Sequence, residues 1–229
     1  MSQRKGRKEE QEEIQVVEVT GSNVQAGNFF EQNQKMITYV VGALAIIAGL
    51  YFAYKYLYIG PKEKEAVNAM YKAEEMFAKD SFELALTNPG GGFDGFLNII
   101  DNYSGTKSAN LAKYYAGISY LNIGKFDEAI DYLNQYSAND NVTAITKAGA
   151  LGDAHAEKGE KDKAESLYKE AGTKNENELL SPYYLNKLAL LYYSNGKSQE
   201  AVTQLEEIRN KYPESPEGRE AEKLIIRFQ

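Results

Sequence analysis

The feature that most limits how this chain can fold is a repeat in its C-terminal half. Three segments align: 110–141, NLAKYYAGISYLNIGKFDEAIDYLNQYSANDN; 145–176, ITKAGALGDAHAEKGEKDKAESLYKEAGTKNE; and 182–213, PYYLNKLALLYYSNGKSQEAVTQLEEIRNKYP. Each has a small residue at its eighth place (Gly117, Gly152, Ala189) and a ring at its eleventh (Tyr120, His155, Tyr192). Glycine follows at the fifteenth (Gly124, Gly159, Gly196) and alanine at the twentieth (Ala129, Ala164, Ala201). The apolar spacing is helical, so each segment predicts two helices joined at the glycine. Small residues at places eight and twenty let the two helices approach closely, and the ring fills the space between hairpins. Glycine at place fifteen can take the left-handed conformation that ends the first helix.

This pattern resembles the tetratricopeptide (TPR) repeat, whose period is about 34 residues. The alanines at 129, 164 and 201 are spaced 35 and 37 apart. One period back from Ala129 lies Gly95, in GFDGFLNIIDNY, which predicts 93–103 as the second helix of a degenerate first repeat. Its partner is Lys62–Lys79, with apolar residues at 66, 69, 70, 73, 76 and 77, and Asn88-Pro89-Gly90-Gly91-Gly92 marks an irregular loop between them. After Pro213 a last helix carries Leu224, Ile225, Ile226 and Phe228 and caps the stack. The repeats fall at about 62–106, 110–143, 145–178 and 182–214, with the cap at 215–229.

Met36 to Tyr54, MITYVVGALAIIAGLYFAY, holds no charge over nineteen residues. At the helical rise it covers about 28 Å, close to the ~30 Å hydrocarbon core of a bilayer. Tyr51, Tyr54, Tyr56 and Tyr58 crowd one end, where amphipathic rings sit at headgroup level. The expected class is therefore all-α: a mobile tail (1–34), one uncleaved transmembrane helix (35–59), and a TPR-type α-solenoid of helical hairpins with a C-terminal capping helix (60–229). Ile59-Gly60-Pro61 predicts a break between the last two. In the tail, the apolar alternation Ile14–Val19 reads as solvated chain, with addition to a sheet edge as the alternative. Within the span, Gly42, Ala45 and Gly49 share one side and form a candidate contact with another membrane helix. Charge near the span does not fix its orientation, since Lys35 stands on one side and Lys55, Lys62 and Lys64 on the other.

Chemistry is sparse. Residues 60–229 carry a net charge of −7, which repels phosphate backbones and argues against nucleic acid as partner. The chain has no cysteine and one histidine, so neither a nucleophile–base set nor a metal cluster assembles, and no cofactor or small-molecule substrate is expected. His155 stands at the ring place of its repeat, which marks it as a packing residue. Gly90–Gly92 lacks a phosphate loop's lysine and hydroxyl. The expectation is a binding protein, not an enzyme.

The resemblance to TPR hairpins places the second, fifth, ninth, twelfth and thirteenth residues of each first helix on a concave face. Carried to this sequence, that face holds Leu111, Tyr114, Ile118, Leu121 and Asn122, then Thr146, Asp153 and Glu157, then Tyr183, Asn186, Leu190 and Tyr193. Lysine is absent from the set, unlike TPR domains that grip carboxylate tails of heat-shock chaperones. A groove for extended or helical apolar segments is expected, unless neighbouring hairpins cover some of these rings.

Tail, single span and C-terminal TPR domain together resemble the YfgM-like family of bacterial inner-membrane proteins, ancillary subunits of the Sec translocon. The resemblance implies a cytoplasmic N-terminus and a periplasmic TPR domain in the inner membrane. Its partners would be the lipid bilayer, Sec translocon subunits, and translocating or periplasmic proteins including chaperones. The alternative is a scaffold for another envelope complex, in cell-wall synthesis, division or a dedicated secretion system.

Overall fold

The computed structural model describes residues 21–229, with side chains from Asn33 onward. Ile14–Val19 therefore lies outside the described residues. The chain divides into two compact units, Met1–Lys55 and Tyr56–Gln229, and all regular structure among the described residues is helical.

In the first unit, α1 runs Gly21–Ala53. It takes in residues 21–34, which the sequence assigns to the tail, because extending an existing helix needs no new nucleus. Side chains from Thr38 to Lys55 are all exposed, and one helix among the described residues, beginning at Asn33, is long and apolar enough to cross a membrane.

The expected break at Ile59-Gly60-Pro61 is absent. Tyr54–Ile59 is a π-helical segment, Ile59 keeps helical angles (φ −71°, ψ −36°), and Pro61 sits in the first turn of α2, Gly60–Phe77. A π turn widens the helix just upstream, where the proline ring would press on the carbonyl one turn back.

Ala66, Met70 and Ala73 form the buried stripe of α2. Opposite them pack α3 (Phe82–Thr87), a short helix with no clear periodicity in the sequence, and α4 (Phe96–Asn102). Gly95 precedes α4, where a Cβ would stand 2.4 Å from the Leu86 carbonyl oxygen. Three hairpins follow: α5 (Lys107–Asn122) with α6 (Phe126–Gln135), α7 (Asn141–Glu157) with α8 (Lys161–Thr173), and α9 (Leu180–Ser194) with α10 (Ser198–Lys211). The cap is α11, Pro216–Phe228, whose first turn is closed by the Gly218 N–H donating to Ser215 Oγ at 2.9 Å.

The repeat places do what their chemistry allows. Gly124, Gly159 and Gly196 have φ of 76°, 74° and 75°. In each turn the next residue's N–H donates to the carbonyl of the ring place: Lys125 to Tyr120, Glu160 to His155 and Lys197 to Tyr192, all at 2.9 Å. This six-to-one bond is the Schellman closure of a helix end. Ala129, Ala164 and Ala201 are fully buried. A Cβ on Gly117 would lie 2.6 Å from Leu133, and one on Gly152 2.7 Å from the Tyr168 ring, so both helix pairs meet at the eighth place.

The eleventh place is more varied. Tyr120 stacks on Tyr132 of its own hairpin (centroids 5.4 Å apart), whereas the Tyr192 hydroxyl donates to Glu165 across hairpins at 3.0 Å. His155 is part-buried, with Nδ1 2.9 Å from Glu160 Oε2. In the cap, Ala221, Ile225 and Phe228 face inward, but Ile226 points outward and is 68% exposed, since it falls a quarter-turn from Ile225.

Candidate protein-binding cleft

Helices α5, α7 and α9 touch in succession, so the first helices of the three hairpins present one shared face. Near their C-terminal ends this face sinks into a cleft of about 710 Å³. Its apolar wall comes from Leu121, Phe126, Ala156, Leu190 and Leu191; Asn122, Asp153, Glu157, Lys187 and Ser194 supply polar groups.

Asp153 organises the floor. Its Oδ1 accepts from the Tyr168 hydroxyl and from Lys187 Nζ, both at 2.7 Å. The Lys187 ammonium also lies 5.0 Å from the Tyr183 ring centre and 5.9 Å from that of Tyr168, close enough for cation–π attraction. Burial alone would push the Lys187 pKa down, but the hydrogen bond and charge of Asp153 more than offset it and raise the value. Burial first, then the bond to Asp153, pushes the Tyr168 hydroxyl well above its usual range. Lys187 is thus held as a cation and Tyr168 as a neutral donor.

Of the residues expected on the concave face, Leu121, Asn122, Asp153, Glu157 and Leu190 line this cleft. Tyr183 borders it through Lys187, exposed at 42%. Asn186 is half-buried on α9 outside the lining. Tyr114 and Ile118 pack with Leu133, Ala150 and Leu151 between hairpins, and the Tyr114 ring meets Tyr136 at 5.2 Å. Tyr193 stacks face to face on Phe228 of the cap, with centroids 3.8 Å apart and planes 8° from parallel. Neighbouring elements therefore cover part of the rings. Gly42, Ala45 and Gly49 lie on α1, where a Cβ on either glycine would meet nothing within 4 Å.

Lys187 was missed because it occupies the sixth place, beside the fifth place expected to point inward. The alignment gives no signal for the pair, since Asp153 stands at the ninth place of its segment and Lys187 at the sixth of the next, 34 residues on. Gly149 was missed for a different reason. It stands at a fifth place expected to point inward, where a Cβ would come within 1.9 Å of the Tyr184 ring, so the α7 backbone packs directly on that α9 side chain.

The tetratricopeptide repeat profile matches residues 111–140 and 185–215. No curated protein matches the chain in sequence. Two crystal structures of nearly identical TPR-like repeats from a Podosopora anserina protein described as a kinesin light chain are similar to it. Each is 16% identical with a TM-score of 0.49, covering 74% of this chain and 84% of the other. The matched segments coincide with α5–α6 and α9–α10, the two hairpins that flank the cleft, and residues 111–140 and 185–215 are tetratricopeptide repeats.

Proposed function

We propose that this chain is a single-pass inner-membrane protein whose TPR domain binds protein segments in the periplasm as an ancillary part of the Sec export machinery. The observation that carries the binding role is the cleft between α5, α7 and α9, with apolar wall and exposed Leu190, on a repeat that serves protein–protein interaction. The uncharged stretch Met36–Tyr54 supports the anchor, and the exposed small-residue side at Gly42, Ala45 and Gly49 offers a lateral contact for a translocon helix. The resemblance to the YfgM-like arrangement supports the export context and the periplasmic address.

A photo-crosslinking residue at Leu190, with one at the outward Ile226 as control, tests the partner. Capture of translocating chains or channel subunits from Leu190 alone is expected. Recovery in mild detergent of cell-wall, division or other secretion assemblies without the channel would replace export with a scaffold role. A topology reporter fused after Gln229 tests the address, and a cytoplasmic signal would overturn it.

A further inference from the structure

We infer that the cleft selects a protein segment that sets a lysine or arginine beside apolar residues, with Glu157 receiving the cation; this rests on reading the cleft as protein-binding. Each donor-bearing side chain in the lining already makes at least one hydrogen bond within the chain. Asn122 Nδ2 donates to the Ile118 carbonyl at 2.8 Å, Ser194 Oγ to the Leu191 carbonyl at 2.8 Å, and Tyr168 and Lys187 to Asp153. Among the charged groups of the lining, Lys187 and Asp153 are paired with each other, and Glu157 is left exposed, its carboxylate in no ion pair or hydrogen bond among the described residues.

The backbone adds to the bias. Asn122, Glu157 and Ser194 are the last residues of α5, α7 and α9, so three helix C-termini converge on one cleft. Each carries partial negative charge and favours a nearby cation. Glu157 itself opposes the dipole of α7, an unfavourable local choice that gains a purpose if a cation arrives there. A carboxylate-bearing ligand meets the reverse: three negative helix ends, one free carboxylate, and a lysine already neutralised by Asp153. Leu121, Phe126, Leu190 and Leu191 then hold the apolar neighbours of the cation.

The test uses the full chain in phosphatidylcholine nanodiscs, whose neutral surface does not itself attract basic peptides, and fluorescence anisotropy. Three labelled peptides share one leucine-rich framework and carry lysine, glutamine or glutamate at the same positions. The lysine peptide is expected to bind roughly 10-fold more tightly than the glutamate peptide, with the gap narrowing as salt rises. Glu157→Gln should weaken the lysine peptide about 3- to 5-fold and leave the glutamine peptide unchanged. Leu190→Asp should weaken all three. Equal binding of the three peptides, or preference for glutamate, with binding still lost in Leu190→Asp, would overturn the selection and leave the cleft as a binding site. No binding of any peptide, or binding indifferent to Leu190→Asp, would overturn both.

Discussion

Glu63 and Ser108 meet across 45 positions of sequence: one carboxylate oxygen of Glu63 accepts from both the backbone N–H (3.1 Å) and the hydroxyl (2.7 Å) of Ser108. The other oxygen takes the Lys107 N–H at 2.5 Å. A carboxylate on α2 thereby closes the first turn of α5, beside the Thr106 side chain that accepts from Ala109 at 3.0 Å. It matches the positive end of the helix and joins the degenerate first repeat to the regular ones. Replacing Glu63 by Ala should destabilise the domain by about 1–2 kcal/mol, seen as a lower urea midpoint, while Glu65→Ala on the exposed side leaves it nearly unchanged.

Gly149 fixes how closely α7 and α9 approach. Its replacement by Ala must displace the buried Tyr184 ring, with an expected loss of about 1–3 kcal/mol. Calorimetry on Gly149→Ala and on Gly149→Ala with Tyr184→Phe tests the origin. The second change removes the hydroxyl but leaves the ring carbons that a Cβ would meet at 1.9 and 2.1 Å, so only a minor part of the loss should return if crowding is the cause.

The Asp153–Lys187 pair is half-buried, each side chain 27% exposed. Asp153→Asn, Lys187→Met and the double variant form a cycle whose coupling should be about 1 kcal/mol, above that of a fully exposed pair. A coupling near zero would show that the cation–π contacts with Tyr168 and Tyr183, not Asp153, hold the lysine.

Acid should weaken the fold through two carboxylates. Hydrogen bonds from Lys163, Lys158 and His155, in that order, hold Glu160 at about 2, and Lys72 then Lys79 hold Glu75 at about 2, against an ordinary 4.5. Because the folded values are depressed, the stabilisation is present above pH 4.5 and lost as pH falls towards 2. Urea midpoints measured across that window should decline, and the decline should shrink in Glu160→Gln with Glu75→Gln.

What the sequence makes legible follows from how local each constraint is. Gly124, Gly159 and Gly196 end helices by backbone conformation alone, and Gly117, Gly152 and the buried alanines answer to contacts within a hairpin, so spacing reveals them. The Asp153–Lys187 contact and the close approach at Gly149 depend on how one hairpin stacks on the next, which spacing within a segment does not express. Tyr193 looks like a groove residue until α11 docks and Phe228 covers its face. Pro61 reads as a stop, yet a π turn accommodates it.

The three turn glycines have one more consequence. A Cβ built on Gly124, Gly159 or Gly196 meets nothing within 4 Å, so these positions demand handedness, not room. An L-alanine there is penalised by its own backbone, roughly 1 kcal/mol, while its mirror image fits the same torsions and leaves the unfolded chain fewer states to lose. Semisynthesis with D-alanine at all three turns should yield a chain more heat-resistant than the natural one, with its cleft unchanged.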